Sequence, residues 1–195
     1  MKRWQVRDAP DAAQRAEIAA VLRAGGIVLM PTDTIYGLHA PANDAGAAKL
    51  AQIKGRDEGK RFVVIAASIE QLESMSVNVP TALRSIWPAP LTAILSRGAE
   101  TIAVRVPDLA WLRDLLAQTG PLFSTSANRS GETPIDRPQA LAREVVTRLD
   151  GIVDAGPRAG KPSAIVDFTE TEPRFIREGD PAFAQILRKT PPKKL

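Results

Sequence analysis

The 195-residue chain contains no cysteine and a single histidine, His39. Without cysteine there is no disulfide, no thiolate ligand and no thiol nucleophile. With one histidine, a zinc site or a Ser-His-Asp triad would rest on His39 alone, and neither is expected. Aromatic residues are scarce, at five Phe, three Trp and one Tyr, which is thin material for base-stacking platforms. No stretch reaches the ~18–20 apolar residues of a membrane helix. The opening Met1-Lys2-Arg3-Trp4-Gln5 lacks the apolar core of a signal peptide. The expectation is a cytoplasmic protein with no membrane attachment.

What is present is ordinary for a globular domain: 44% hydrophobic and 25% charged residues. The net charge of +4 invites a nucleic-acid reading, but Arg188, Lys189, Lys193 and Lys194 all fall in the last eight residues. Without those four the body is formally neutral. The length suits one domain over residues 1–187 followed by a basic tail over 188–195, which is expected to be disordered and to attract polyanions weakly.

Periodicity predicts an alternation of helices and strands, hence an α/β fold. Helices are expected over 10–24, 44–53, 68–75, 81–86, 110–118, 137–148 and 182–188. Strands are expected over 27–30, 62–66, 91–95, 102–106, 122–124, 152–154, 164–167 and 174–176. Gly25-Gly26 should stop the first helix. Pro31 cannot donate to a ladder, so the strand before it should end or turn there.

Three segments carry candidate chemistry. Residues 121–134 crowd Ser124, Thr125, Ser126, Asn128, Ser130 and Thr133 behind the apolar pair Leu122-Phe123. Many short donors and acceptors with little bulk suit a phosphate or a small polar metabolite. Residues 30–38 present Thr32, Asp33, Thr34 and Tyr36 after a buried strand, where they could line a ligand site or cap a following helix. Residues 54–61 place Lys54, Arg56, Lys60 and Arg61 around Gly55 and Gly59. Such a run is either a solvated loop or a pair of cations converging on one anion.

Together these segments resemble the YrdC/Sua5 family. Pro31-Thr32-Asp33-Thr34-Ile35-Tyr36-Gly37-Leu38, Lys54 with Arg56, and Ser126 with Asn128 match its signatures in order. Further matches are Trp87-Pro88-Ala89-Pro90-Leu91-Thr92, Ala103-Val104-Arg105-Val106-Pro107-Asp108, Ser163-Ala164-Ile165-Val166-Asp167 and Ile176-Arg177-Glu178-Gly179. The resemblance implies a twisted mixed sheet flanked by helices, with a concave electropositive face. It implies an L-threonylcarbamoyladenylate synthase, which joins L-threonine, bicarbonate and ATP and releases pyrophosphate towards the N6-threonylcarbamoyladenosine of tRNA. Expected partners are the downstream tRNA threonylcarbamoyl-transfer proteins.

The resemblance also assigns roles. Lys54, Arg56, Ser126 and Asn128 are the expected catalytic set and, with Arg61, Arg105 and Arg177, the expected ATP site. A triphosphate needs cationic neutralisation, usually with a metal ion, and Mg2+ is the expected one. Thr32, Thr34, Tyr36, Ser124 and Ser163 are the expected threonine contacts. Asp33 is a conceivable base. Three positions depart from the family pattern: Arg61-Phe62 stands for Pro-Leu, Ala164 for a threonine, and His39 for a small residue. Loss of the hydroxyl at 164 is expected to weaken discrimination for threonine over serine. The competing expectation is an RNA-binding protein of the same fold without this catalysis; a related carbamoyl-transfer module is a third.

Overall fold

A computed structural model describes residues 1–55, 61–128 and 133–189 of the chain, without the side chains of Ile186 and Lys189. Its elements run β1 (Lys2–Gln5), α1 (Ala12–Arg23), β2 (Val28–Pro31), β3 (Tyr36–Pro41), α2 (Asp44–Lys54), β4 (Val63–Ile65), α3 (Ile69–Glu73), α4 (Thr81–Arg84), β5 (Leu91–Arg97) and β6 (Glu100–Arg105). They continue with α5 (Ala110–Thr119), β7 (Leu122–Ser126), a 3-10 turn (Pro138–Ala140), α6 (Arg143–Val146), β8 (Gly151–Asp154), β9 (Ala164–Asp167), β10 (Arg174–Arg177) and α7 (Pro181–Lys189). The ten strands form one mixed sheet in the order β1-β8-β2-β3-β7-β4-β6-β5-β9-β10, as the α/β reading and the family resemblance expected.

Local chemistry explains the element ends. Asp11 caps α1 in a reciprocal box, its carboxylate accepting from Gln14 N–H at 2.8 Å while the Gln14 side chain accepts from Asp11 N–H at 3.0 Å. Asn43 and Ser68 cap α2 and α3 through their side-chain oxygens. β2 ends at Pro31 as predicted, but no helix follows. The chain turns straight back as the antiparallel strand β3, so Thr32 and Asp33 cap nothing.

Four expectations need correction. β3 was read as loop because it is central and buried on both sides, so its residues show no apolar–polar alternation. β1 is an edge strand with only Trp4 buried, too weak a pattern to read. The helix expected over 137–148 is broken into the 3-10 turn and α6, with Leu141 extended between them. Leu141, Val145 and Leu149 each reach the core, and their docking outweighs a continuous helix. The tail boundary at 188 is also too early. Arg188 lies in α7, pairs with Glu178 and stacks over the Phe175 ring at 5.2 Å. Residues 190–195 lie outside the described residues.

The two faces of the sheet are used differently. Directly paired residues of neighbouring strands project to one side. One face carries Leu29, Leu38, Val64, Val104, Ala93, Ala164 and Val166, covered by α2, α3, α4, α6 and α7. On the other face α1 and α5 cover Val28, Met30, Leu122, Ile65 and Val153. Further along that second face Val63, Ile94, Ala103, Ser124, Ser126 and Ile165 stay partly exposed. The candidate site lies on this bare half.

Candidate functional site

Register builds the site. One row across the second face joins His39, Ser124 and Val63. Another joins Leu122, Ile65 and Arg105. The next rung after the Ala93–Val104 pair brings Thr92 beside Arg105, and Thr92 pairs with Ile165, which pairs with Arg177. Arg105 and Arg177, 72 positions apart in the numbering, therefore share one row.

The β2–β3 hairpin tip closes over Arg105. The Thr32 hydroxyl donates to the Ile35 carbonyl at 2.9 Å and accepts from the backbone N–H groups of Thr34 and Ile35. With its only proton committed, it receives the Thr34 hydroxyl at 2.9 Å. Arg105 Nη1 donates to Thr34 Oγ1 at 3.1 Å, and Nη2 pairs with the Asp33 carboxylate. Asp33 also accepts from Asp108 N–H at 3.1 Å. Both side chains of the Arg105–Asp33 pair are only 7% exposed. Arg105 Nε is buried without a hydrogen-bond partner, so this guanidinium has donor capacity that the protein leaves unused. The loop after β8 presses on the tip so closely that a Cβ on Gly160 would sit 1.8 Å from the Thr34 carbonyl oxygen. Only glycine allows that approach.

Beside it, Ser163 Oγ and Thr92 Oγ1 are 2.8 Å apart and buried. Arg177, although exposed as a residue, turns its guanidinium onto Ser163, with Nε donating to the carbonyl at 2.9 Å. Desolvation and then the nearby Arg105 cation lower the Arg177 pKa. The two cations therefore face the same space, and an anion there would relieve both.

The second corner surrounds Lys54, at the end of α2. Its ammonium donates to the Ser126 carbonyl at 2.9 Å, to the Asn128 carbonyl, and to Asn128 Oδ1 at 3.0 Å. The Ser126 hydroxyl donates to the same Oδ1. An ammonium can only donate, so it fixes the amide orientation and turns the Asn128 NH2 group away from Lys54. Lys54 with Ser126 and Asn128 come together as expected, but Lys54 is 7% exposed. It braces the turn rather than lying on a solvated loop. Arg56 lies outside the described residues.

The remaining expected contacts divide. Ser124 and Ser163 reach the bare half. Thr32 belongs to the tip but spends its hydroxyl on holding it. Tyr36, an expected threonine contact, does not face the bare half. It is fully buried on the opposite side of β3, its hydroxyl donating to the Gly156 carbonyl at 2.8 Å and accepting from Ala155 N–H at 3.0 Å. Arg61, an expected phosphate contact, lies away from this half of the sheet. It lines a cavity of about 830 Å³ on the other face, with Phe62, Val64, Ile102 and Phe123, and pairs there with Glu100. Ala164 points into the apolar core of that other face. A threonine there would aim its hydroxyl away from Ser163, so the expected loss of selectivity has no geometric basis. Sequence reasoning missed Thr92, which reads as an ordinary strand residue, and misjudged Asp33, whose partner 72 positions away no local pattern shows.

Comparison with known proteins gives the family. A family model of the Sua5/YciO/YrdC type, described as telomere recombination, matches residues 20–179. The chain belongs to this family. It is 33% identical over 95% of its length to the threonylcarbamoyl-AMP synthase of Bacillus subtilis, and 33% identical over 93% to a putative threonylcarbamoyl-AMP synthase of Mycobacterium leprae. Pyrococcus abyssi Sua5 complexed with L-threonine superposes with a TM-score of 0.82 at 28% identity over 92% of the chain. The chain spans 60% of the B. subtilis relative and 58% of the P. abyssi chain, but 92% of the M. leprae relative. The family fold, a mixed sheet with flanking helices, is the one seen here. Among the described residues, no helix is long and apolar enough to cross a membrane.

Proposed function

We propose that the protein is an L-threonylcarbamoyladenylate synthase, a nucleotidyltransferase using L-threonine, bicarbonate and ATP. The observation that carries this reading is the shared row of Arg105 and Arg177, two guanidinium groups facing one space on the bare half of the sheet. It is supported by relatives of that name and by a threonine complex of a structural relative.

In this reading the threonine amine and bicarbonate condense to a carbamate with loss of water. A carbamate oxygen then attacks the α-phosphorus of ATP, the bond to the β,γ-diphosphate breaks, and pyrophosphate leaves. The chain supplies positioning and charge stabilisation, and no covalent nucleophile is required. Arg105, held by Asp33 and Thr34, and Arg177, held by Ser163, take carboxylate and phosphate oxygens. The Lys54 brace sets the Asn128 NH2 group to donate to the nucleotide and holds the Ser126 hydroxyl, whose proton goes to Asn128 Oδ1, beside it, with Arg56 two positions beyond Lys54 in sequence. Thr34, Ser124 and Ser163 line the amino-acid side.

Among the described residues no cluster of three His, Asp or Glu side chains could hold a metal ion. A Mg2+ ion would therefore be carried mainly by the ATP phosphates, neutralising charge there. We further propose a cytoplasmic location, product delivery to tRNA threonylcarbamoyl-transfer proteins, and weak RNA association through the terminal lysines.

The test is pyrophosphate release with ATP, bicarbonate and each amino acid in turn. Release should require both L-threonine and bicarbonate. Equal turnover with serine, glycine or no amino acid would remove the assignment.

A further inference from the structure

The helix layer on the face opposite the candidate site leaves a gap. Gly46, in the first turn of α2, lies so close to β3 that a Cβ there would sit 2.1 Å from the Pro41 carbonyl oxygen. That approach holds α2 over β3. The neighbouring floor, made by β7, β4 and β6, is left between α2 and Met75, just beyond α3. On this side α2 carries only the methyl groups of Ala47, Ala48 and Ala51, which do not fill the space. The result is the cavity of about 830 Å³ that Arg61 lines, floored by Val64, Ile102 and the tilted ring pair Phe62–Phe123, whose centroids are 5.9 Å apart. Folded interiors are normally packed without such voids.

The rim of the cavity is charged unevenly. Arg61 and Arg97 both pair with the same oxygen of Glu100, at 3.4 and 3.5 Å. One carboxylate therefore serves two guanidinium groups, each with five donors. On the opposite wall Lys49 and Asp44 cancel in charge. Among the described lining residues one positive charge is left over, and it sits at the Arg61–Arg97 side.

Size and charge select the occupant. The volume is that of a small-molecule pocket, and the floor is apolar and aromatic. A second copy of the chain has little to insert, because Met1 and Ile176 are the only exposed large apolar side chains among the described residues. A cation would be repelled by the arginine pair. A wholly apolar molecule would fill the floor but leave the two guanidinium groups sharing one carboxylate. A molecule with an apolar ring or chain and one carboxylate satisfies both floor and rim.

We propose that this cavity is a second ligand site that takes a small monocarboxylate with an apolar ring or chain. Its body lies on Phe62 and Phe123, and its carboxylate lies between Arg61 and Arg97. The site is on the opposite face from the bare half and does not rest on the synthase reading.

The probe is 2-naphthoate, with 2-naphthalenemethanol and 2-naphthylmethylammonium as its neutral and cationic counterparts. Each is titrated into the 15N-labelled full chain and followed by amide shifts. Saturable shifts at Ala47, Ala51, Ile102 and Phe123 are expected with naphthoate. The alcohol should bind about threefold to tenfold more weakly, as loss of a partly exposed ion pair implies, and the ammonium more weakly still. Glu100→Gln releases both guanidinium groups and should tighten naphthoate about threefold while leaving the alcohol unchanged. Arg61→Ala with Arg97→Ala should lower naphthoate to the affinity of the alcohol. Ala51→Phe, checked for folding by thermal melting, fills the cavity and should remove these shifts with all three compounds. Equal affinity for the three compounds would overturn the proposal, as would a naphthoate affinity that responds neither to Glu100→Gln nor to the arginine variant. Shifts confined to the bare half, or no saturation in the millimolar range, would reduce the cavity to a packing gap.

Discussion

The second face of the sheet is one surface built in two ways. Under β1, β8 and β2 it is apolar and helix-covered: Ile18, Ala19 and Leu22 of α1 and Trp111, Leu112, Leu115 and Leu116 of α5 are all buried on Val28, Met30 and Val153. Under β7, β4, β6, β5, β9 and β10 it is partly open: Val63, Ile94, Ala103, Ser124, Ser126 and Ile165 are half-exposed beside the polar row of Arg105, Thr92 and Arg177. Packing fixes the geometry of the first half. In the second, hydrogen-bonded pairs must do it: Arg105 with Asp33, Thr92 with Ser163, Arg177 with Ser163, His39 with Ser124. The cost is that each pair depends on both members.

That contrast is sharpest at Arg105. Removing one partner of a buried ion pair leaves the other charged and unpaired, so Arg105→Ala should cost about 3–5 kcal/mol. Replacing both, as Arg105→Met with Asp33→Leu, should recover much of the stability while leaving the proposed synthase reaction abolished. Urea unfolding of the single and double variants checks this. A single variant within about 0.5 kcal/mol of wild type, the range of ordinary surface changes, would mean that the hairpin tip is not held by this pair.

His39 gives the next largest effect, through pH. Its folded pKa of about 4 lies below the ordinary 6.5, so below pH ~6.5 the unfolded chain binds the proton that the folded one refuses. The contribution is complete above that pH and falls away progressively between pH ~6.5 and ~4, by up to about 3 kcal/mol. His39→Gln should lack that component. Comparing urea midpoints of the two proteins across the window isolates it from the carboxylates, which titrate in both.

Lys54 comes third. Because it is buried and holds two carbonyls and an amide, Lys54→Ala should cost about 1.5–3 kcal/mol in stability, as for hydrogen bonds to a charged group. It should also weaken ATP binding, measured by calorimetry. ATP affinity that is unchanged despite lost stability would make Lys54 a brace alone. The smallest effect is expected at Arg61, on the other face, where both members of the pair with Glu100 are more than half exposed. Arg61→Ala should shift stability by no more than about 0.5 kcal/mol and leave turnover unchanged. A large fall in turnover would move the nucleotide site towards that face.

Much of the molecule was legible in advance because the signals are local. Gly25-Gly26 and Pro31 mark real ends, and α1, α2, α5 and most strands lie where periodicity puts them. The unread parts share a cause. β3 is apolar on one side and carries Gly37 and His39 on the other, so neither strand period nor composition shows. The stretch 137–148 has the composition of a helix but follows Leu141, Val145 and Leu149 into the core. Tyr36 and Arg61 sit inside family motifs, and a motif does not state which way a side chain points.

The sequence alone determined what chemistry is available: no thiol, one imidazole, clustered hydroxyls, and guanidinium groups in segments of a known pattern. These follow from residue identity and short spacing. The tertiary structure decided which of them meet. Arg105 and Asp33 are 72 residues apart, Lys54 and Ser126 also 72, and His39 and Ser124 85. The face of a strand residue alternates with every position, so a single slip in register would exchange the bare half for the core. That register is set by the long-range pairing of ten strands, and only the folded sheet contains it.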